Sequence, residues 1–161
     1  MPEKKDHVDN AREQWAEVRP ELDTSTMGIT ARLYRYQFLV DKALNGLYRQ
    51  HGVNFGEFDV IATLKRNQTP LTPTELMASS MLSSGAMTNR LDNLEKAGLV
   101  QRAHSSEDRR SIRVSLTEKG EALIDGLVPL HIEEQQSLLK GLSEAEQTQL
   151  ANLLKKALAG C

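Results

Sequence analysis

Residues 83–90 form a short polar run whose side chains suit contact with nucleic acid. The hydroxyl groups of the run can donate to phosphates or base edges, and its small residues permit close approach. The amide of Asn89 and the guanidinium of Arg90 can form paired hydrogen bonds with adenine and guanine. The alternative interpretation is an ordinary solvated helix with a serine cap. The candidate contacts are Ser83, Ser84, Gly85, Thr88, Asn89 and Arg90.

A second cluster of candidate contacts follows within a dozen residues. Five basic or imidazole side chains, opposed by only two carboxylates, lie between positions 102 and 113. A basic hairpin tip beside a polar helix can place an arginine in the minor groove while the helix reads the major groove. The alternative is a solvated charged turn. The basic set is Arg102, His104, Arg109, Arg110 and Arg113, and the acids are Glu107 and Asp108.

Patterns that would carry catalysis are missing from this sequence. The four histidines are scattered without metal-binding spacing, and neither a nucleophile elbow nor a phosphate-binding loop is present. The one cysteine, Cys161, is the last residue, so the chain can form neither an intrachain disulfide nor a cysteine metal cluster. We therefore expect neither an enzyme nor a cofactor.

The elements that would position the two clusters can be predicted from caps and periodicity. Thr72, Pro73 and Glu75 form a capping box that opens a short helix ending near Ser79. After a turn, a second helix is predicted from residue 83 or 84 to residue 96, and Gly98 stands at its left-handed C-cap. Residues 99–104 and 111–116 alternate like two strands of a hairpin.

Longer helices flank this region. Apolar residues recur at three- and four-residue spacing over residues 27–50 and again over residues 55–66, and a shorter helix is predicted over residues 9–18. Thr117 caps another helix, which we expect Pro129 to kink or divide. Ser143 and Glu146 form a capping box for a last helix to about residue 158. The predicted fold class is mainly α (α+β), a winged helix-turn-helix with N- and C-terminal dimerisation helices.

Amino-acid composition limits the classes of protein to which this chain can belong. The 161 residues are 39% hydrophobic and 26% charged, which is typical of a globular domain, and the 4% aromatic content argues against a β-sandwich. A net charge of −2 leaves room for a basic surface confined to one region. No apolar run approaches the roughly 20 residues of a membrane span. The absence of disulfide-forming cysteines fits a cytoplasmic protein.

The segment from Asp108 to Thr117 resembles the wing motif D-x-R-x-x-x-V-x-L-T of the MarR family. Residues 84–91 and 94–100 are similar to the recognition helix of that family and to its exit. The resemblance covers roughly residues 27–158. It implies a homodimer that binds double-stranded DNA at a pseudo-palindromic operator and that responds to a small anionic effector. It also implies that Arg110 enters the minor groove and that Asp108 braces it.

A finer resemblance extends to the urate-responsive branch of the family. It rests on Trp15, on residues 19–23 and on residues 58–64, with Lys65 standing where that branch favours arginine. The resemblance implies a ligand site in which two arginines hold a planar anion while an indole stacks on it. The matching residues are Trp15, Asp59, Arg90 and Arg102. The alternatives are that Trp15 only packs the N-terminal segment and that Asp59 and Arg90 form a structural salt bridge.

These patterns predict a division of the chain. Residues 1–26 would be an N-terminal extension with a short helix, residues 27–52 and 118–161 dimerisation helices, and residues 53–117 the DNA-binding lobe. The leucines of the last two helices exceed what one small core can cover, so a second copy should bury them. The alternative function is a dimeric helical adaptor that lacks sequence-specific DNA binding.

Overall fold

The computed structural model describes residues 5–80, 87–104 and 111–160. These residues form seven helices and one two-stranded antiparallel sheet, which confirms the predicted fold class. The chain divides into two compact units, residues 1–42 and residues 43–161. The elements are α1 (His7–Val18), α2 (Ser25–Gln50), α3 (Phe55–Asn67), α4 (Pro73–Ser79), α5 (Met87–Lys96), β1 (Val100–His104), β2 (Ile112–Leu116), α6 (Glu118–Leu139) and α7 (Glu144–Leu158).

Local capping chemistry sets most of the helix starts. The predicted capping boxes of Thr72 and Ser143 are both present, and Thr117 caps α6 as expected. Gly98 has a φ of +69°, which confirms the predicted left-handed position after α5. Two further capping boxes, at Asp6 and Asn54, begin α1 and α3. The predicted start of the α5 helix, at Ser83 or Ser84, lies outside the described residues.

The N-terminal unit contains α1 and the first part of α2, and polar contacts hold the two together. The guanidinium of Arg32 donates to Asp6 over 2.9 and 3.0 Å and to Asp9 over 2.7 Å. These contacts lower the pKa of Asp9, and the hydrogen bond from the Asp9 backbone, followed by Arg32, helps to lower the pKa of Asp6 to about 2. In α1 only Val8 is buried, whereas Trp15 is 42% exposed.

The second unit is built around α3. Nine consecutive residues of this helix, 56–64, are buried, and α3 contacts α4, α5, α6 and β2. The expected inward side chains Phe58, Ile61 and Leu64 all lie in this core. Lys65 at the end of the helix pairs with Glu121 and Asp125 of α6 at 2.5 and 2.8 Å. The lysine thus joins α3 to α6.

The hairpin pairs β1 with β2 in antiparallel register, with Val100 opposite Leu116 and His104 opposite Ile112. Leu71, just before α4, adds a bridge to Val114 through two backbone hydrogen bonds of 2.8 and 3.0 Å. The base of the hairpin is therefore attached to the α3–α4 turn.

The start of α6 is attached to the turn between α5 and β1. The Thr117 hydroxyl donates to the Gly98 carbonyl over 2.7 Å, and Lys119 Nζ donates to the Ala97 carbonyl over the same distance. Gly120 is buried against the Leu99 carbonyl oxygen, where a Cβ atom would overlap with the backbone. α6 then continues through Pro129 to Leu139, so the expectation that Pro129 divides this helix is wrong. The proline ring leaves no backbone N–H at position 129, so one helical hydrogen bond is lost, and the helix continues without it.

An aromatic cluster closes the core between α2, α3 and α6. The rings of Tyr48 and Phe58 stack with centroids 4.6 Å apart, and the His131 ring lies 4.8 Å from Phe58. Tyr48 Oη and His131 Nδ1 are 2.9 Å apart, so Nδ1 of the neutral imidazole can accept a hydrogen bond from the Tyr48 hydroxyl. Burial lowers the pKa of His131. Burial, followed by the charge of Asp59, raises the pKa of Tyr48 to about 12.

Substitution of Gly120 by alanine should lower the free energy of unfolding by about 1–3 kcal/mol, because the new methyl group must displace the Leu99 carbonyl or α6. Chemical denaturation at fixed protein concentration measures this change. The matched control is Gly126→Ala in the same helix, where a Cβ atom meets nothing within 4 Å. The control should be stabilised by about 0.5–1 kcal/mol. Equal effects at both positions would contradict the assigned close approach.

Stability should also fall as the pH drops below the ordinary pKa of histidine. Since the folded pKa of His131 lies below 6.5, the unfolded chain binds the proton more readily. This contribution is complete above pH 6.5 and is lost as the pH falls toward the folded pKa. Urea titrations at several pH values should show a shallower decline for His131→Gln, which retains a hydrogen-bond acceptor. His51→Gln serves as the control for the loss of an imidazole. An unchanged slope in His131→Gln would refute the assignment.

Candidate DNA interface and effector site

The two faces of α5 differ in polarity as the sequence predicts. Met87, Leu91 and Leu94 are buried, whereas Thr88 and Asn89 are exposed. Helical spacing places the apolar residues on the face toward α3 and leaves the short polar side chains outward. Ser83, Ser84 and Gly85 lie outside the described residues. The contacts of all five residues with DNA remain predictions.

Arg90 turns back from α5 toward α3. Its guanidinium lies against Gly56, where a Cβ atom would overlap with Arg90 Nε, so a side chain at position 56 would displace Arg90. Among the described residues, Arg90 Nη1 is buried without a hydrogen-bond partner. A buried donor without an acceptor is costly for a charged group. Arg90 Nη1 is therefore able to donate a hydrogen bond to an anionic oxygen of a ligand.

Asp59 lies on the same side of α3, one turn after Gly56, and is only 4% exposed. Its charge acts on Tyr48, where it adds to the rise in pKa. The structure thus brings two predicted ligand residues, Asp59 and Arg90, to one side of one helix. Sequence patterns could not show that Tyr48 and His131 close the neighbouring core, because 83 residues separate them.

Arg102 on β1 is held by the other side of α5. Its guanidinium pairs with Asp92 over 2.7 Å and with Glu95 over 3.2 Å, and its side chain is 25% exposed. This pairing braces the hairpin against the predicted recognition helix. The sequence signal for it is the three-residue spacing of Asp92 and Glu95, which places both carboxylates on one helical face. A ligand contact of Arg102 remains a prediction.

Arg113 on β2 is also committed to a structural contact. Its Nη1 donates to the Pro70 carbonyl over 3.0 Å and to Glu75 over 3.4 Å, so the second strand is joined to the start of α4. Glu75 also belongs to the capping box of that helix, and its backbone and hydroxyl contacts with Thr72, followed by Arg113, lower its pKa. The hairpin-tip residues Asp108, Arg109 and Arg110 lie outside the described residues.

Trp15, the remaining predicted ligand residue, belongs to the N-terminal unit. It lies on α1 and is partly exposed, and its participation in a shared ligand site remains a prediction. Over residues 5–80, 87–104 and 111–160, no group of three or more His, Cys, Asp or Glu side chains is arranged to hold a metal ion.

Comparison with known proteins supports the identification of the fold and the family. The MarR family pattern matches residues 53–112. The transcriptional regulator PecS of Dickeya dadantii (strain 3937) is 36% identical over 149 residues, which are 91% of this chain and 90% of PecS. A crystal structure of an Escherichia coli MarR variant in complex with operator DNA has a TM-score of 0.72 and 28% identity. That match covers 89% of this chain and 97% of the MarR chain.

A third similarity concerns the fold alone. Bordetella bronchiseptica BpsR, whose DNA binding is regulated by 6-hydroxynicotinic acid, has a TM-score of 0.71 at 23% identity. The match covers 81% of this chain and 98% of BpsR. PecS and MarR are regulators rather than enzymes, which confirms the interpretation of the sequence as non-catalytic. This chain belongs to the MarR family of transcription regulators, and it has their winged helix-turn-helix fold.

Proposed function

We propose that this regulator is a homodimer that binds a pseudo-palindromic operator as a repressor, and that a small aromatic anion such as urate releases it. The observation that carries the DNA-binding part is the polarity of α5, with Leu91 and Leu94 buried and Thr88 and Asn89 exposed. A helix anchored in this way can enter the major groove and present its polar face to base edges.

The hairpin would make the second contact with DNA. In this proposal Arg110 enters the minor groove, Asp108 braces it, and Arg109 neutralises a neighbouring phosphate. The described base of the hairpin supports the proposal, because Arg102 holds β1 to α5 and Arg113 holds β2 to α4. A firmly attached base positions the tip relative to the recognition helix. The similarity to MarR in complex with its operator supports the same arrangement.

Exposed apolar side chains support the homodimer. In the N-terminal unit α2 exposes Ile29, Leu33, Phe38 and Leu39, all more than 40%. In the second unit the last helix exposes Leu153 and Leu158, at 57% and 76%. α7 has no buried residue in the single chain. None of the helices within the described residues is long and apolar enough to cross a membrane. A second copy of the chain would cover these faces and set the recognition helices about 34–36 Å apart.

The effector site would use the side of α3 that carries Asp59. Arg90 supplies a buried Nη1 donor beside Gly56, which suits an anionic oxygen of a planar ligand. Trp15 would stack on the ring, and Arg102 would add a second guanidinium if its pairing with Asp92 and Glu95 opened. The choice of this ligand class follows the sequence resemblance to the urate-responsive branch of the family. Anion capture by Arg90 and Arg102 would alter two of the attachments of α5 and so weaken DNA binding.

Replacement of Arg110 by alanine should weaken operator binding by about 1–3 kcal/mol. Asn89→Ala should relax the choice of base at one operator position while it retains much of the affinity. Duplexes selected from a random pool, followed by mobility-shift assays at several salt concentrations, measure both effects. Light scattering on the same samples establishes whether two chains are present.

The matched control is Arg19→Ala, which removes an exposed arginine that pairs with Glu21. It should bind the operator like the wild type. Affinity that is insensitive to salt would favour the adaptor alternative, because release of counterions makes DNA binding salt-dependent. Equal binding by Arg110→Ala and the wild type would refute the minor-groove role.

Urate should bind the full-length protein in isothermal titration calorimetry, and Trp15→Ala should lower the affinity by about two- to tenfold through the loss of stacking. Trp15→Phe, which retains an aromatic face, should restore part of that loss. Asp59→Asn should change the affinity as well, because it alters the charge beside Arg90. The absence of wild-type binding, or undiminished binding by Trp15→Ala, would eliminate urate from the proposal and leave the DNA-binding part standing.

A further inference from the structure

A cavity of about 330 Å³ lies between α1 and α2 within the N-terminal unit. Its volume falls in the range of about 300–1,000 Å³ that is usual for small-molecule sites. Val8 and Ala11 of α1 and Ala31 of α2 contribute apolar walls, and the two alanines are small enough to leave the space open. The lining includes none of Trp15, Asp59, Arg90 and Arg102, the residues proposed for the effector site.

Two arginines are among the residues that line the cavity. Arg12 of α1 and Arg35 of α2 both line it, together with the ring of Tyr34, which is 78% exposed. Two arginines within a mostly apolar lining favour a ligand that carries a carboxylate on a compact apolar body. The aromatic ring offers a flat face for part of that body.

Nearby carboxylates do not neutralise both arginines. Asp6 and Asp9 are occupied by Arg32, the neighbouring guanidinium. Asp23, whose charge interacts with Arg12, accepts from the backbone and hydroxyl groups of Ser25.

Arg12 itself donates from Nε to the Thr24 carbonyl over 3.1 Å, which fixes the position of its side chain. Within the described residues, Arg35 forms no ion pair, so its charge is the least compensated in the cavity.

We propose that this cavity binds a small organic carboxylate, with Arg35 and Arg12 holding the carboxylate and the apolar walls holding its body. The walls are already positioned, because Arg32 joins the start of α1 to α2 and Arg12 joins α1 to the segment before α2. Binding therefore requires little ordering of the protein, and the ligand stabilises the attachment of α1 to α2.

Calorimetry on the full chain tests the proposal with benzoate and octanoate, each against its neutral amide, benzamide and octanamide. At least one carboxylate should bind, and the corresponding amide should bind at least about tenfold more weakly. Benzoate tests a compact ring and octanoate an extended chain of the kind found in lipids. Arg35→Gln should cost about tenfold in affinity, Arg35→Lys should recover part of it, and Ala31→Leu should abolish binding by filling the cavity. Methyl NMR shifts of Ala11 and Ala31 locate the ligand.

Arg19→Ala is the matched control, because it removes an exposed arginine of the same unit that does not line the cavity, and it should leave carboxylate binding unchanged. Failure of both carboxylates to bind would overturn the proposal, as would equal binding of the amides. If Ala31→Leu or Arg35→Gln converted a dimer to a monomer without loss of ligand, the cavity would belong to an interface between copies, and the proposal would be wrong. None of these outcomes bears on operator binding.

Discussion

Burial of α3 on every side is the constraint on which the second unit depends. A helix enclosed by α4, α5, α6 and β2 must satisfy its own polar groups, since water cannot reach them. Glu57 does so through the capping box with Asn54, and Thr63 accepts from Arg66 over 2.9 Å. Asp59 is retained in the same core and influences Tyr48. The predicted recognition helix and the second strand of the hairpin are therefore both positioned against one buried helix.

The predicted recognition helix is attached to its surroundings at three points along its length. Arg90 packs on Gly56 near its start, Asp92 and Glu95 accept from Arg102 in the middle, and Lys119 donates to the carbonyl just after its end. These attachments come from α3, β1 and α6, so a change in any of those elements reaches α5 through a named contact. An effector that changed one of these contacts would act directly on α5, so regulation of DNA binding requires no longer chain of contacts through the protein.

Local patterns predicted the order of the elements well, because their causes lie within a few residues. Capping at Thr72, Thr117 and Ser143 and the left-handed Gly98 depend on neighbours in sequence. The Asp6 and Asn54 caps followed the same rule and could have been found from the acid three residues later.

Partners distant in sequence could not be predicted in this way. The charge cluster at residues 102–113 was visible, but the commitment of Arg102 to α5 and of Arg113 to α4 depends on tertiary packing. α6 likewise continues through Pro129 despite one lost backbone hydrogen bond, and its buried residues, Gly120, Ile124 and Leu127, all precede the proline. Contacts with an effector and with the grooves of DNA involve other molecules, so they cannot be derived from the sequence of this chain alone.

The mode of attachment of α1 has an evolutionary consequence. Among the described residues, α1 buries one valine and is otherwise attached by the pairing of Arg32 with two aspartates and by the bond from Arg12 to Thr24, so it needs little apolar surface beneath it. A lineage could acquire, lengthen or discard such a segment through a few substitutions, without redesign of any hydrophobic core. A response to a new ligand can therefore evolve in the N-terminal segment while the DNA-binding elements are inherited unchanged.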